Sequence, residues 1–195
     1  MFGFGKKAED WFESARRRSQ KMLQDETRRI QADIERIRSG RGVNPSAEAE
    51  ANAMRTQAYR AMIADLDRAL GQKPDFAEAW FNKGNIHQIM GEREKALACY
   101  EKALQLAPAH PNSLFCVASI KRELGRLDEA LGYYREAVRA NPNDSDAWYE
   151  MAMVLRQSGN SESAKEAEER AQALQPNLKP RNGMVFYIAR PRLFT

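Results

Sequence analysis

Histidines, cysteines and paired carboxylates build most protein active sites, and in this chain they are sparse. The 195 residues hold two histidines, His87 and His110, and two cysteines, Cys99 and Cys116. A nucleophilic site needs a base and an orienting acid beside its serine or thiol, and a metal site needs several ligands at short spacing. The chain has no CxxC pair, no Ser-His-acid grouping and no phosphate-cradling glycine loop; GFG and SGRG are too short to serve as one. His87 falls at a packing position of a helical pattern, and His110 in a connection beside Pro111. Catalysis, metal binding and cofactors are therefore not expected. The cysteines read as small helix residues of a reducing compartment, with a disulfide or redox switch as the alternative. What is left is recognition by surfaces, so the elements that build those surfaces decide the reading.

A pattern recurs every 34 residues. Trp80 returns as Leu114 and Trp148, Gly91 as Gly125 and Gly159, Ala96 as Ala130 and Ala164, and Ala103 as Ala137 and Ala171. Pro74, Pro108, Pro142 and Pro176 close successive periods. Each period predicts two helices. The first spans 77–90, and Gly91 follows it as a residue free to take the left-handed conformation. The second runs from Arg93 to Leu106 and is stopped by Pro108. Asp75 with Glu78 resembles a capping box. Gly84, Ala118 and Ala152 allow close helix approach, Ala96, Ala130 and Ala164 supply the reciprocal small surface, and Trp80 and Tyr100 are expected to fill the space between. One such hairpin cannot bury its apolar face alone, so hairpins must stack.

The order Trp-x-x-x-Gly, Ala, Tyr, Ala, Pro over 34 residues resembles the tetratricopeptide repeat. The resemblance is strong over 77–178 and extends to a degenerate half-repeat ending at Pro74. It departs at Leu114, at Glu168 where Tyr100 and Tyr134 stand in the earlier repeats, and at His87, Lys121 and Leu155, where the family usually has tyrosine. It implies an all-α fold, an α-solenoid of stacked antiparallel helix pairs, here with a long N-terminal helix and an irregular C-terminal tail. The expected organisation is a basic amphipathic helix over 1–42, a degenerate repeat or capping helix over 43–76, repeats over 77–110, 111–144 and 145–178, and a basic aromatic tail over 179–195.

Charge is segregated along this plan. Residues 1–42 carry +4, 43–178 carry −4 and 179–195 carry +4. A nucleic-acid binder presents a continuous basic stripe on a folded face; here the positive charge lies on the appendages, and no nucleic acid is expected. No apolar run is long enough to span a bilayer, and MFGFGKKAEDWFESARRR lacks the apolar stretch of a secretory signal, so a cytoplasmic location is expected. Along 6–39, Leu23, Ile30 and Ile37 repeat every seven residues, but Glu26 and Asp33 interrupt the intervening positions, so a strict coiled coil is not supported. Packing on the next helix is the plain expectation for this segment. Self-association is the second, and a membrane surface met by Phe2, Phe4, Trp11 and Phe12 beside Lys6, Lys7, Arg16, Arg17 and Arg18 is the third. Asn44 and Pro45 start a helix that runs unbroken to about Leu70. The tail contains MVFYI, which has strand character, and reads either as loose cover for apolar surface or as a peptide that docks into a groove.

The resemblance also implies a function: a scaffold or adaptor that binds a peptide or protein on the concave face formed by first helices. Carried over by position, that face has three rows. Phe81, Phe115 and Tyr149 form an aromatic row, followed by Asn85, Ser119 and Met153, then by Gln88, Arg122 and Arg156. Rings suit apolar side chains of an extended peptide, while amides and guanidiniums suit its backbone or carboxylates. The competing expectation is that the aromatic row packs between neighbouring repeats. The subfamily that grips chaperone C-termini is set aside: only Asn85 matches it, and Phe81, Asp146 and Glu150 stand where cations are needed.

Overall fold

A computed structural model describes residues 7–40 and 45–175. Among the described residues there are eight helices and no strand: α1 (Ala8–Arg38), α2 (Pro45–Gln72), α3 (Ala77–Ile89), α4 (Arg93–Leu106), α5 (Pro111–Glu123), α6 (Leu127–Ala140), α7 (Ser145–Gln157) and α8 (Ser161–Leu174). The expected cap at Asn44, the aromatic residues Phe2 and Phe4, and the tail with MVFYI lie outside the described residues. The chain divides into two compact units, whose described parts are 7–86 and 87–175, with the boundary inside α3.

In the first unit α1 packs on α2 in antiparallel fashion. Near one end Ser14 and Arg18 of α1 bond to Asp65 of α2; near the other Arg29 pairs with Glu48. Small residues of α1 (Ala8, Ala15, Ser19) and larger ones of α2 (Met62, Leu66, Leu70) are buried. Trp11 lies under the Arg68 guanidinium at 4.6 Å, and Phe12 meets Phe76 with ring centroids 4.8 Å apart. These two aromatics are engaged with the protein's own side chains. α2 runs without a turn through its whole length.

In the second unit each helix from α4 to α8 packs on the next, and α5 also touches α7. Enclosed in this way, α5 is buried continuously from Ser113 to Lys121. The small residues Ala96, Ala118, Ala130, Ala152 and Ala164 have no exposed surface, and neither do the rings of Tyr100 and Tyr134. Backbone approach at alanine leaves room that tyrosine fills, which is how interiors reach their close packing.

The tryptophans do something other than expected. Trp80 and Trp148 are only half-buried, and each donates its indole N–H to a proline carbonyl six residues back, Pro74 and Pro142, both at 2.9 Å. They tie a first helix to the connection before it, while the tyrosines fill the interior. The cap also shifts. The Phe76 carbonyl accepts from the N–H groups of Ala79 and Trp80, and Glu78 bonds forward to Asn82. The 34-residue register continues this cap position at His110 and Asp144, whose side chains accept from Ser113 N–H and from Asp146 and Ala147 N–H.

Gly91, Gly125 and Gly159 have φ of 76°, 74° and 80°, and a Cβ added at any of them meets nothing within 4 Å. The requirement for glycine is conformational, not steric. Gly125→Val is therefore expected to destabilise the second unit by about 1–2 kcal/mol, the penalty for a side chain held in the left-handed region. Urea unfolding should show a lower midpoint at constant slope. An unchanged midpoint would show that the turn adopts another conformation at no cost.

Candidate peptide-binding face

The nine residues expected on the concave face fall in both units. Phe81 and Asn85 belong to the first, where Phe81 is buried and Asn85 half-buried. The other seven belong to the second.

There the aromatic row splits. Phe115 is buried, its ring meeting Tyr134 edge-on with centroids 5.7 Å apart. Ser119 is buried one turn later, with its Oγ 3.0 Å from the Tyr134 hydroxyl. Enclosure of α5 by three helices is the physical reason that both side chains pack inside rather than face outward. Tyr149 and Met153 on α7 are half-buried and keep part of their apolar surface exposed.

The third row has a feature that the period alone did not reveal. The Tyr100 hydroxyl donates to Gln88 Oε1 at 2.6 Å, the Tyr134 hydroxyl helps hold the Arg122 proton, and Arg156 meets Glu168 at 2.5 Å. In each repeat this row is coupled to the residue twelve positions on, across its own helical hairpin. Glu168 is therefore no misfit: its carboxylate meets an arginine where Tyr100 meets a glutamine. The twelve-residue spacing was present in the sequence and was the signal by which the pairing could have been found.

Both arginines are neutralised within the unit. Arg122 lies 3.5 Å from Glu150, and its Nε is buried without a hydrogen-bond partner among the described residues. Burial works against its charge, but Glu150 and the Tyr134 hydroxyl together hold its proton more tightly than usual. Burial, with Glu150 adding to it, pushes the Tyr134 hydroxyl up. Arg156 is exposed, with Glu168 as its counter-charge. Glu150, which sequence reading met only as an obstacle to carboxylate ligands, is the acid that fixes Arg122.

The cysteines and histidines sit within the packed helices and their turns. Cys99 and Cys116 are free and buried, and burial pushes the Cys116 thiol up to about 12, against a smaller opposing effect of Tyr100. A thiol so placed is not a thiolate at neutral pH. The His87 ring lies 2.5 Å from Glu92 across the α3–α4 turn, and the His110 ring caps α5. Among the described residues no group of three or more His, Cys, Asp or Glu side chains is placed to hold a metal. No described helix is long and apolar enough to cross a membrane.

Residues 46–175, two thirds of the chain, match the profile of the cilia and flagella-associated protein 70 middle TPR-like domain. The chain belongs to this family. The TPR-like domain thus covers α2 to α8, and α1 lies outside the match. Two crystal structures of MamA share the fold: one at TM-score 0.58 and 18% identity over 65% of this chain and 74% of that one, the other at 0.55 and 16% over 66% and 73%. At such identities the likeness is one of architecture. A segment of 54 residues, 28% of this chain, is 37% identical to serine/threonine-protein phosphatase T of Trypanosoma brucei brucei (strain 927/4 GUTat10.1). This chain spans only 11% of the phosphatase. A TPR-like fold is a scaffold for contacts with other proteins, and that general role is the function its architecture supports.

Proposed function

We propose that the second unit of this TPR-like chain is a non-catalytic recognition module that binds an extended peptide or protein segment on the outer face of α7, beside the end of α5. The observation that carries this reading is the half-exposed pair Tyr149 and Met153, set one helical turn apart, with Arg156 three residues on and Arg122 at 3.5 Å from the adjacent Glu150. Tyrosine offers apolar area at low entropic cost, and methionine adapts to irregular shapes. The guanidiniums are already held by Glu150 and Glu168, so a ligand meets donors in fixed positions on a face of little net charge. A peptide whose apolar side chains cover Tyr149 and Met153, and whose backbone carbonyls accept from Arg156, satisfies that surface.

The test begins with a displayed random-peptide library selected on the purified chain. Binding of a selected, labelled peptide is then measured by fluorescence anisotropy. Tyr149→Ala with Met153→Ala is expected to weaken binding about tenfold, ~1.4 kcal/mol, the level of a moderate interface contact. Helicity and melting should be unchanged because both side chains are partly exposed. Selected peptides that bind the double variant as well as the parent would place recognition elsewhere.

A further inference from the structure

The far halves of α1 and α2 meet through charged side chains and leave hydrocarbon outside. Glu26, Arg29 and Asp33 of α1 mesh with Glu48 and Arg55 of α2. Arg29 lies 2.8 Å from Glu26 and 3.7 Å from Asp33, and it also pairs with Glu48; Arg55 lies 3.0 Å from Glu26 and 3.4 Å from Glu48. Hydrogen bonding from Arg29, against a smaller effect of burial, holds the Glu26 carboxyl below its ordinary range. Meanwhile Leu23, Ile30, Ile34 and Ile37 are 59%, 48%, 44% and 59% exposed. At about 100° per residue these four fall within a stripe of roughly 60° on α1. Glu26 and Asp33, which interrupt the heptad in sequence, do not interrupt this stripe: they line its border on the α2 side and stay about a quarter exposed.

The stripe has a seven-residue frame of its own. Leu23, Ile30 and Ile37 take one core position, and Thr27 and Ile34 the other. Thr27 donates its hydroxyl to the Leu23 carbonyl at 2.8 Å, so its methyl group is what it offers a partner. The flank away from the seam carries Gln24, Gln31 and Arg38.

We propose that this stripe is the interface of a parallel α1–α1 homodimer: its occupant is a second copy of the chain. Charge complementarity selects that occupant and its direction. In a parallel pair the flank residue before one core position meets the residue five places on in the partner, which sets Asp33 against the partner copy's Arg38 and Glu26 against its Gln31. An antiparallel pair would set the Glu26 and Asp33 flanks against each other, carboxylate facing carboxylate. A lipid surface fits less well, because α1 holds eight Lys or Arg and seven Asp or Glu, and its stripe is not bordered by cations on both sides. This inference concerns the first unit and is independent of the peptide face on the second.

Sedimentation equilibrium of the whole chain tests it. From the low micromolar range towards millimolar, the apparent mass should rise from 22.2 kDa towards twice that value. Ile30→Asp with Ile34→Asp should weaken association at least tenfold without loss of helicity, since both positions are exposed. Ile34→Cys should form a disulfide-linked dimer on mild oxidation, as identical core positions face one another in the parallel register, while buried Cys99 and Cys116 leave the parent uncrosslinked. A parent chain that stays monomeric, association that survives Ile30→Asp with Ile34→Asp, or crosslinking only between Leu23→Cys and Ile37→Cys chains would overturn the proposal. So would a monomer that binds phosphatidylserine vesicles through the stripe.

Discussion

Tyr134→Ala lowers stability by about 3–5 kcal/mol, the expected cost of truncating a fully buried ring. Tyr134 has no exposed surface; its ring meets Phe115 edge-on and its hydroxyl bonds to Ser119. Two losses combine. The cavity collapses poorly, because Ala130 one turn back carries only a methyl group and α5 is held by three helices. Buried Ser119 also loses its hydrogen-bond partner. Tyr134→Phe separates the two, since it keeps the ring and loses only the hydroxyl, at about 1–2 kcal/mol. Urea unfolding of both variants gives the comparison. A Tyr134→Ala cost below that of Tyr134→Phe would refute the packing account.

Asp65→Ala is expected to cost about 3 kcal/mol, the lower edge of the range for removing one partner of a buried ion pair. The Asp65 side chain is 1% exposed and accepts from Ser14 at 2.8 Å, from Arg18 at 2.7 Å and from Arg68 at 3.1 Å. Arg68 in turn covers Trp11. One carboxylate thus gathers α1 onto α2. Arg18 and Arg68 are about half exposed and can recover water when it is removed, which keeps the cost from rising further. Hydrogen exchange in the first half of α1 should accelerate on the order of a hundredfold. Asp65→Asn should have a smaller effect, because its amide oxygen still accepts from Ser14. Unchanged α1 exchange in Asp65→Ala would mean that apolar contacts alone hold the helix.

The helices of the repeats were legible because their ends are punctuated. Gly91 and Pro108 bracket α4 at the bounds read from sequence, and the period carries those bounds to α6 and α8. A glycine at a φ of 74–80° leaves a one-letter trace. Burial left no such trace where it depends on neighbours. Phe115 and Tyr149 hold equivalent positions, yet the first is enclosed among α4, α6 and α7 while the second keeps an open side. Asp65 reads as one more solvated acid until α1 covers it. Trp80 was read for its size, whereas its indole N–H decides its role. The alternating charges of α1 suggested an interrupted stripe because a linear string does not say which way each residue turns.

The pairing of residues 88 with 100, 122 with 134, and 156 with 168 has a consequence for how such chains recombine. The glycine turn lies between the two members of every pair, and the proline junction lies outside them. A crossover at Gly159 would join one ancestor's first helix to another's second, and would set Arg156 against a tyrosine where its carboxylate belonged. A crossover at Pro108 or Pro142 would carry each couple across whole. The natural seam for shuffling, duplicating or grafting these modules is the proline, even though the glycine is the sharper bend.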